Sequence, residues 1–165
     1  MTKLYILLGG NLGNKQQVFS ETWKRLEKQI GPITKRSAVY ETEPWGFESN
    51  DMFWNQAIEI ETELWPDEVL TQTHGIEEIL GRIRKENQFD SRIIDIDVLF
   101  YGSEIVNQPD LQIPHPRIQD RKFVLVPLCE IAPELVHPVF KKTVCELLSE
   151  CSDQLAVKKL TIQNS

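Results

Sequence analysis

The sequence is poor in cysteine. It has three, Cys129, Cys145 and Cys151, and no two of them form a Cys-x-x-Cys pair. An odd number of cysteines without that spacing does not indicate a disulfide framework. We therefore expect reduced thiols, and we expect Cys129 in the core because it lies in an apolar run.

Long apolar runs are also missing. No stretch approaches the roughly 18 apolar residues that a membrane-spanning helix requires. The first residues, MTKLYILLGGN, contain only a short apolar segment, without the apolar region and cleavage site of a signal peptide. We expect a cytoplasmic protein that has no membrane partner.

An excess of positive charge is the third absence. The 165 residues include 18 Lys and Arg against 25 Asp and Glu, which gives a net charge of −7 and a pI near 5.0. General binders of nucleic acids or anionic membranes depend on a positive field. The composition therefore disfavours a nucleic-acid partner, although it permits a local cluster of cations.

The chain also lacks the common nucleotide and nucleophile motifs. Its turn GGNLGN, residues 9–14, resembles a phosphate loop, but it has neither the lysine of GxxxxGK[ST] nor the spacing of GxGxxG. No Ser or Cys stands in a recognisable nucleophile motif. We interpret the turn as a strand-to-helix connection in which Asn14 is the helix N-cap.

The hydrophobic pattern predicts a β-α-β-β-α-β order with helices after it. Apolar runs and alternation predict strands over residues 3–8, 33–41, 53–61 and 92–101. Helical spacing predicts helices over residues 14–30, 66–83, 122–131 and 143–151. This order indicates an α+β fold, with a ferredoxin-like antiparallel sheet and additional C-terminal helices. We expect a single domain over residues 1–165, with the last dozen residues loosely attached.

Two carboxylates interrupt the last predicted strand, RIIDIDVLFY. Alternation predicts that Asp95 and Asp97 share one face with Leu99 and Tyr101, whereas Phe100 lies on the opposite, core-facing side. At about 6.5 Å along a strand, the two anions repel each other unless cations, water or protons intervene.

Basic residues surround this strand in an otherwise acidic chain. They are Arg82, Arg84, Lys85, Arg92, Arg117, Arg121 and Lys122. Both signs of charge are explained if the carboxylates hold Mg²⁺, which prefers oxygen ligands, while the arginines clamp phosphates that the metal bridges. The alternative is a surface strand with solvated carboxylates beside a solvated basic helix face.

Two further features suit a ligand site. Phe53 and Asn55 share one face of the third predicted strand, where the ring and the amide would stack on and hydrogen-bond a flat heterocycle. The alternative is a core phenylalanine beside an edge asparagine. Trp45, in the loop between the second and third strands, would belong either to a lid over this site or to a hydrophobic plug.

His115 lies between two prolines, which hold its backbone in place. It is either a hydrogen-bond donor to a phosphate or a structural histidine.

Taken together, these motifs resemble the 6-hydroxymethyl-7,8-dihydropterin pyrophosphokinase family. The resemblance runs through GGNLGN, VYETEPWG, FWNQA, GRIRK, SRIIDIDVLFYG and IPHPRIQDRKFVLVPLCEIAPELVHP. Members of the family transfer the terminal pyrophosphate of ATP to the pterin hydroxymethyl group and release AMP. The resemblance implies an ATP- and Mg²⁺-dependent diphosphotransferase of folate biosynthesis, typically a monomer.

The resemblance also implies the roles of individual residues. Asp95 and Asp97 would hold two Mg²⁺ ions and, with Arg82 and Arg92, would form the catalytic set. The residues that bind ATP would be Arg82, Lys85, Arg92, His115 and Arg121. The pterin ring would lie between aromatic rings, with an amide and loop groups around its edge, from Thr42, Pro44, Trp45, Gly46, Phe53, Asn55 and Phe123.

The chain departs from the family pattern at several positions. In residues 88–91, QFDS, only the aromatic residue of the usual basic-aromatic-Gly-Pro sequence is kept. Pro116 stands where some members carry an aromatic residue, and Asp110 and Gln112 stand where some members place a nucleotide contact. Independently of these departures, two other functions stay open: a two-metal nucleic-acid enzyme, and a nucleotide or pterin sensor without turnover.

Overall fold

The computed structural model describes residues 1–43, 52–81 and 93–161. The strands are β1 (Thr2–Gly10), β2 (Ile33–Arg36), β3 (Tyr40–Thr42), β4 (Phe53–Thr62), β5 (Asp95–Tyr101), β6 (Val106–Gln108), β7 (Leu111–Ile113) and β8 (Lys158–Lys159). The helices are α1 (Lys15–Gln29), α2 (Pro66–Gly81), α3 (Lys122–Ile131) and α4 (Val144–Glu150). Within these ranges, none of the helices has the length and apolar character that crossing a membrane requires.

The fold is a mixed α and β arrangement around an antiparallel sheet of six strands. The strand order is β5-β1-β4-β3-β8, and β2 also pairs with β4. Strands β6 and β7 form a separate hairpin. The long strands β1 and β4 pair over nine residues, from Thr2↔Thr62 to Gly10↔Trp54, and they fix the position of everything built on the sheet.

The segment predicted as one strand over residues 33–41 is divided into β2 and β3. The interruption is at Ser37, whose hydroxyl accepts a hydrogen bond from the backbone N–H of Ala57 at 3.0 Å. The backbone carbonyl of Ser37 accepts instead from the Gln56 side chain at 2.9 Å. Because these side chains replace regular partners of the ladder, the single-strand prediction is wrong at this point.

Helices α1 and α2 cover one face of the sheet. Phe19 and Leu26 of α1 and Ile76 of α2 are buried in the same apolar core as the inward residues of β1, β4 and β5. The predicted cap is confirmed, because the side chain of Asn14 accepts a hydrogen bond from the backbone N–H of Gln17 at 3.2 Å. This capped turn ends β1 and starts α1.

Helices α3 and α4 cover part of the opposite face. Val124, Leu125 and Leu128 of α3 and Leu147 of α4 are buried against Tyr5 and other residues of this face. The covered part lies over the middle of the sheet. The end of this face near the start of β5 stays open, and it carries the predicted carboxylate pair.

Strand β5 contains a bulge that alternation does not predict. Its pairing with β1 shifts register next to Tyr5 and leaves Leu99 as an extra residue. Beyond the bulge, Phe100 lies with Leu99 in the core under α3, while Tyr101 lies in the core under α1 and α2. The prediction that Tyr101 shares the face of Asp97, with Phe100 opposite, is therefore wrong.

The C-terminal tail, predicted to be loosely attached, has contacts in its described part. Lys158 and Lys159 pair with β3, and the backbone N–H of Leu160 donates to the carbonyl of Val39 at 2.9 Å. The tail thus runs back to the sheet after α4.

Candidate active site

The open end of the sheet forms a cavity of about 290 Å³, which we call the aromatic cavity. Predicted residues from separate parts of the chain line it: Thr42, Phe53, Asn55, Asp95, Asp97, Arg121 and Phe123. The same cavity is also lined by residues that were not predicted, namely Leu7, Gly9, Glu43 and Leu155. The structure therefore brings the predicted carboxylates, one predicted cation and two of the three predicted aromatic rings, those of Phe53 and Phe123, to one site.

The sheet register places the amide beside the carboxylates. Gly9 of β1 pairs with Asn55 of β4 on one side and with Asp95 of β5 on the other. These three residues form one row across the sheet. A Cβ atom at Gly9 would lie 3.1 Å from Oδ1 of Asn55, which is closer than ordinary van der Waals contact. Gly9 therefore leaves the room that the Asn55 side chain occupies, a role that the sequence pattern did not reveal.

The carboxylates are partly withdrawn from water. Asp95 and Asp97 are both half-buried at the start of β5. Burial raises the pKa of Asp97 above its usual value, although the guanidinium of Arg121 opposes this change. Desolvation disfavours an anion, and a cation held by Asp97 would relieve this cost.

Arg121 and Phe123 stand at the N-terminal end of α3. The Arg121 guanidinium lies 5.7 Å from the centre of the Phe123 ring, within the range of a cation–π interaction. The guanidinium and the ring therefore border the aromatic cavity together, and the guanidinium is near enough to Asp97 to affect its pKa.

A second cavity of about 320 Å³ lies on the other side of Asp97, and we call it the hairpin cavity. It is bordered by α2, by β5 and by the β6–β7 hairpin with the segment after it. Its polar lining includes the predicted His115 and the positions noted as departures, Asp110 and Gln112. Because Asp97 lines both cavities, they meet at this carboxylate.

His115 presents a defined donor to the hairpin cavity. Its Nδ1 accepts a hydrogen bond from the backbone N–H of Arg117 at 3.1 Å. Burial lowers the pKa of His115, and the guanidinium groups of Arg121 and Arg117 lower it further. The neutral ring therefore carries its proton on Nε2, which is the nitrogen available to donate to a ligand.

Glu77 of α2 is a further polar residue of the hairpin cavity that the sequence reading missed. Its Oε2 accepts a hydrogen bond from the backbone N–H of Ile96 at 2.7 Å. Burial raises the pKa of Glu77, and the neighbouring carboxylates of Asp95 and Asp97 add to the effect, although the bond from Ile96 opposes it. The spacing of His74 and Glu77 could have indicated this position, because residues three apart lie on one face of a helix and both line the hairpin cavity.

Several predicted residues lie outside the described part of the chain. They are Pro44, Trp45 and Gly46 of the predicted pterin pocket, and Arg82, Lys85 and Arg92 of the predicted ATP site. Within residues 1–43, 52–81 and 93–161, no group of three or more His, Cys, Asp or Glu side chains is placed to hold a metal ion. The carboxylates of Asp95 and Asp97 nevertheless offer the oxygen ligands that Mg²⁺ prefers, and a buried anion favours a cation beside it.

Comparison with known proteins identifies the family of this chain. A model of the family described as 7,8-dihydro-6-hydroxymethylpterin-pyrophosphokinase (HPPK) matches residues 5–133. The chain belongs to this family. The matched range contains every residue that the sequence predicted for the site, and it ends before α4 and the C-terminal tail.

Two curated pyrophosphokinases are similar to this chain over most of their length. A 2-amino-4-hydroxy-6-hydroxymethyldihydropteridine pyrophosphokinase of Methylorubrum extorquens is 42% identical over 151 residues, which is 91% of this chain and 94% of that protein. An enzyme of the same name from Porphyromonas gingivalis is 40% identical over 141 residues, which is 84% of this chain and 95% of that protein.

In fold, the chain is similar to Plasmodium falciparum HPPK-DHPS, with a TM-score of 0.72 and 18% identity over 90% of this chain. It spans 44% of that longer protein.

Proposed function

We propose that this enzyme, a pyrophosphokinase of the hydroxymethyldihydropterin family, takes the pyrophosphate group from ATP and releases AMP. The observation that carries this proposal is that two cavities of unlike character meet at Asp97. One cavity has aromatic and amide groups suited to a pterin, and the other has polar groups suited to a nucleotide. The two substrates would therefore meet at the carboxylate pair.

The aromatic cavity supports pterin binding. Phe53 and Phe123 both line it, as do Asn55 and Thr42. Aromatic side chains stack on flat heterocycles, and an amide carries both a donor and an acceptor for the edge of the ring. We propose that Pro44, Trp45 and Gly46, which follow Thr42 in sequence, complete this pocket.

The hairpin cavity supports nucleotide binding. We propose that ATP lies there with its phosphates directed toward Asp97, where Nε2 of His115 donates to a phosphate oxygen. Arg121, which borders the carboxylates from the side of the aromatic cavity, would bind the phosphates from that side. We propose that Arg82, Lys85 and Arg92 supply the remaining positive charge, because a polyphosphate needs several cations around it.

The carboxylate pair supports magnesium binding. We propose that Asp95 and Asp97 hold two Mg²⁺ ions together with oxygens of the ATP phosphates, since Mg²⁺ is commonly bound by one or two carboxylates plus substrate phosphates. Bound there, the ions would neutralise the polyphosphate charge and make the pterin hydroxyl more acidic.

The chemistry then requires positioning and charge neutralisation more than covalent catalysis. The hydroxymethyl oxygen of the pterin attacks the β-phosphorus of ATP, forms a new O–P bond and releases its proton to solvent. The bond between that phosphorus and the oxygen shared with the α-phosphate breaks, so AMP leaves with the electron pair. Phe53, Phe123 and Asn55 would align the attacking hydroxyl, while Arg121 and His115 would stabilise negative charge on the phosphates.

The architecture supports a finer classification of the fold. We propose that the sheet is ferredoxin-like, because β5, β1 and β4 are neighbours, β2 and β3 both flank β4, and α1 and α2 share one face. We also propose that the chain forms a single domain and acts as a cytoplasmic monomer. A nucleic-acid enzyme on the same sheet is not favoured, because the family comparison and the net charge of −7 both oppose it.

The first experiment mixes the purified protein with ATP, Mg²⁺ and 6-hydroxymethyl-7,8-dihydropterin and identifies the nucleotide product. The expected product is AMP, formed only when pterin and metal are both present. Formation of ADP would refute pyrophosphate transfer. Binding of pterin or ATP without turnover would instead indicate the sensor.

A further inference from the structure

The chain after α4 reaches the aromatic cavity, where Leu155 is one of the lining residues. In residues 151–157, the side chains alternate between partly buried and exposed, with Cys151, Asp153, Leu155 and Val157 facing the protein. Such alternation is typical of an extended segment with one face packed. This segment lies beyond residues 5–133, the range that the family model matches.

Asp153 caps the helix that carries part of the site. Its Oδ2 accepts a hydrogen bond from the backbone N–H of Lys122, the first residue of α3, at 3.0 Å. Its Oδ1 accepts from the backbone N–H of Leu155 at 3.0 Å. Arg121, in the N-cap position of α3, makes no side-chain cap. A helix N-terminus has unpaired N–H groups and favours negative charge, so the carboxylate of Asp153 supplies what the helix itself lacks.

The capped position lies between two residues of the site. Lys122 is directly flanked by Arg121 and Phe123, which both line the aromatic cavity. Asp153 therefore fixes the backbone at Lys122, between the residues that carry the guanidinium and the aromatic ring. A change in the cap would alter the placement of Arg121 and Phe123 without removing either side chain.

The tail joins this helix to strand β3, whose last residue also lines the cavity. Leu155 itself lines the cavity, and a few residues later Lys158 and Lys159 pair with β3. Strand β3 ends at Thr42, another lining residue. The tail thus connects the N-terminal end of α3 to the strand that enters the proposed pterin pocket.

We propose that Leu155 forms part of the wall of the pterin pocket and contacts the bound pterin, and that Asp153 is a positioning residue for Arg121 and Phe123. This inference rests on the proposed function, because it assigns the pterin to the aromatic cavity. It adds two specificity-determining positions in a part of the chain that lies beyond the range matched by the family model.

The two positions have separable effects. Truncating Leu155 removes apolar contact from the pterin alone, so Leu155→Ala should raise the pterin Kd about threefold to tenfold and leave the KM for ATP unchanged. Loss of the cap in Asp153→Ala shifts both Phe123 and Arg121. This variant should therefore raise the KM for pterin by a similar factor and also lower kcat, about threefold to tenfold each.

The experiment compares four variants: Leu155→Ala, Asp153→Ala, Asp153→Asn and Gln154→Ala. Asp153→Asn keeps an acceptor oxygen and should recover most of the loss. Gln154→Ala is the matched control, because its side chain is exposed and its amide nitrogen donates a hydrogen bond to the backbone carbonyl of Ser152, within the tail. The measurements are pterin affinity by fluorescence titration without ATP, KM for both substrates, kcat, and thermal unfolding.

A loss confined to pterin affinity in Leu155→Ala, with rescue of kcat by Asp153→Asn, would support the wall. Equal effects of Leu155→Ala on the pterin Kd and on the KM for ATP would overturn it. Effects of Leu155→Ala and Asp153→Ala no larger than those of Gln154→Ala would overturn it as well. If Asp153→Ala does not fold, Asp153→Asn and Leu155→Ala decide the question. If the unaltered protein binds pterin without forming AMP, the proposed function fails, and the pterin Kd values of the variants still test the wall.

Discussion

Gly9 offers a sensitive test of the pterin site, because it lies between Asn55 and Asp95 in one row of the sheet. The perturbation is Gly9→Ala, which adds a single methyl group. Its backbone is not among the glycines with positive φ, so alanine is compatible with the conformation of the strand. Any effect on binding should therefore come from the space that the methyl group takes.

The structure gives the size of the effect. The new Cβ would lie 3.1 Å from Oδ1 of Asn55, so the amide must move by a few tenths of an ångström. If Asn55 bonds the edge of the pterin, this shift weakens or removes one hydrogen bond. A hydrogen bond between neutral groups contributes about 0.5–1.5 kcal/mol, and we therefore expect the pterin Kd to rise about twofold to tenfold.

The assay is a fluorescence titration of pterin in parallel with a titration of a non-hydrolysable ATP analogue. Gly75→Ala is the matched control, because a Cβ at Gly75 in α2 would meet nothing within 4 Å. That control should leave both affinities unchanged and stabilise the protein by about 0.5–1 kcal/mol, since alanine is favoured over glycine in a helix.

Two results would refute this reasoning. Pterin affinity in Gly9→Ala equal to that of the unaltered protein would mean that Asn55 does not bond the pterin in the orientation seen here. An equal loss of pterin and ATP-analogue affinity, with a lower unfolding temperature, would mean that the methyl group disturbs the sheet instead of the amide.

Three further predictions concern the metal site and stability. Asp97→Asn should lower kcat about 100-fold or more without lowering the unfolding temperature, because it removes a half-buried charge; near-normal AMP formation would contradict the metal assignment. Removal of divalent metal with EDTA should abolish turnover and leave the unfolding temperature unchanged, because Asp95 and Asp97 lie at the open end of the sheet, outside both apolar cores; a large thermal shift would indicate a structural metal instead. Burial tends to raise the pKa of Glu59, but hydrogen bonds from Tyr5 and Thr34 and the charges of Lys3 and Lys35 outweigh it and hold the pKa below its usual value near 4.5. A carboxylate with a lowered pKa in the folded state stabilises the protein at pH values above its unfolded-state pKa, and this stabilisation is lost as the pH falls through the folded-state pKa. Unfolding in urea should therefore show a stability that decreases below about pH 4.5. Tyr5→Phe, which removes a 2.5 Å bond to Glu59, should cost about 1.5–3 kcal/mol near neutral pH and make the dependence on pH shallower; an unchanged profile would show that this bond does not set the pKa.

Most of the fold was predictable from local patterns. Helical spacing predicted α1, α2, α3 and α4 to within a few residues, because each helix buries one apolar stripe. The break at Ser37 and the bulge at Leu99 were not predictable. Both depend on partners on other strands, the backbone N–H of Ala57 in one case and the register with β1 in the other.

The candidate site divides in the same way. Its carboxylates, amide and aromatic rings could be named from residue type and alternation along single strands, together with the family resemblance. Gly9, Glu77 and Leu155 could not, because their roles depend on what lies opposite them. Gly9 matters only because Asn55 is its neighbour, and Leu155 only because the tail returns to the cavity.

The sequence by itself determined that two carboxylates would lie on one side of a strand among basic residues, in an acidic α+β chain of the pyrophosphokinase family. This follows from the period of a strand, which is a property of consecutive residues. Tertiary structure alone decided that Asp97 borders two cavities and that Asp153 caps α3. These contacts join residues far apart in the chain, and they are fixed by strand register and by packing of the whole fold instead of by any local pattern.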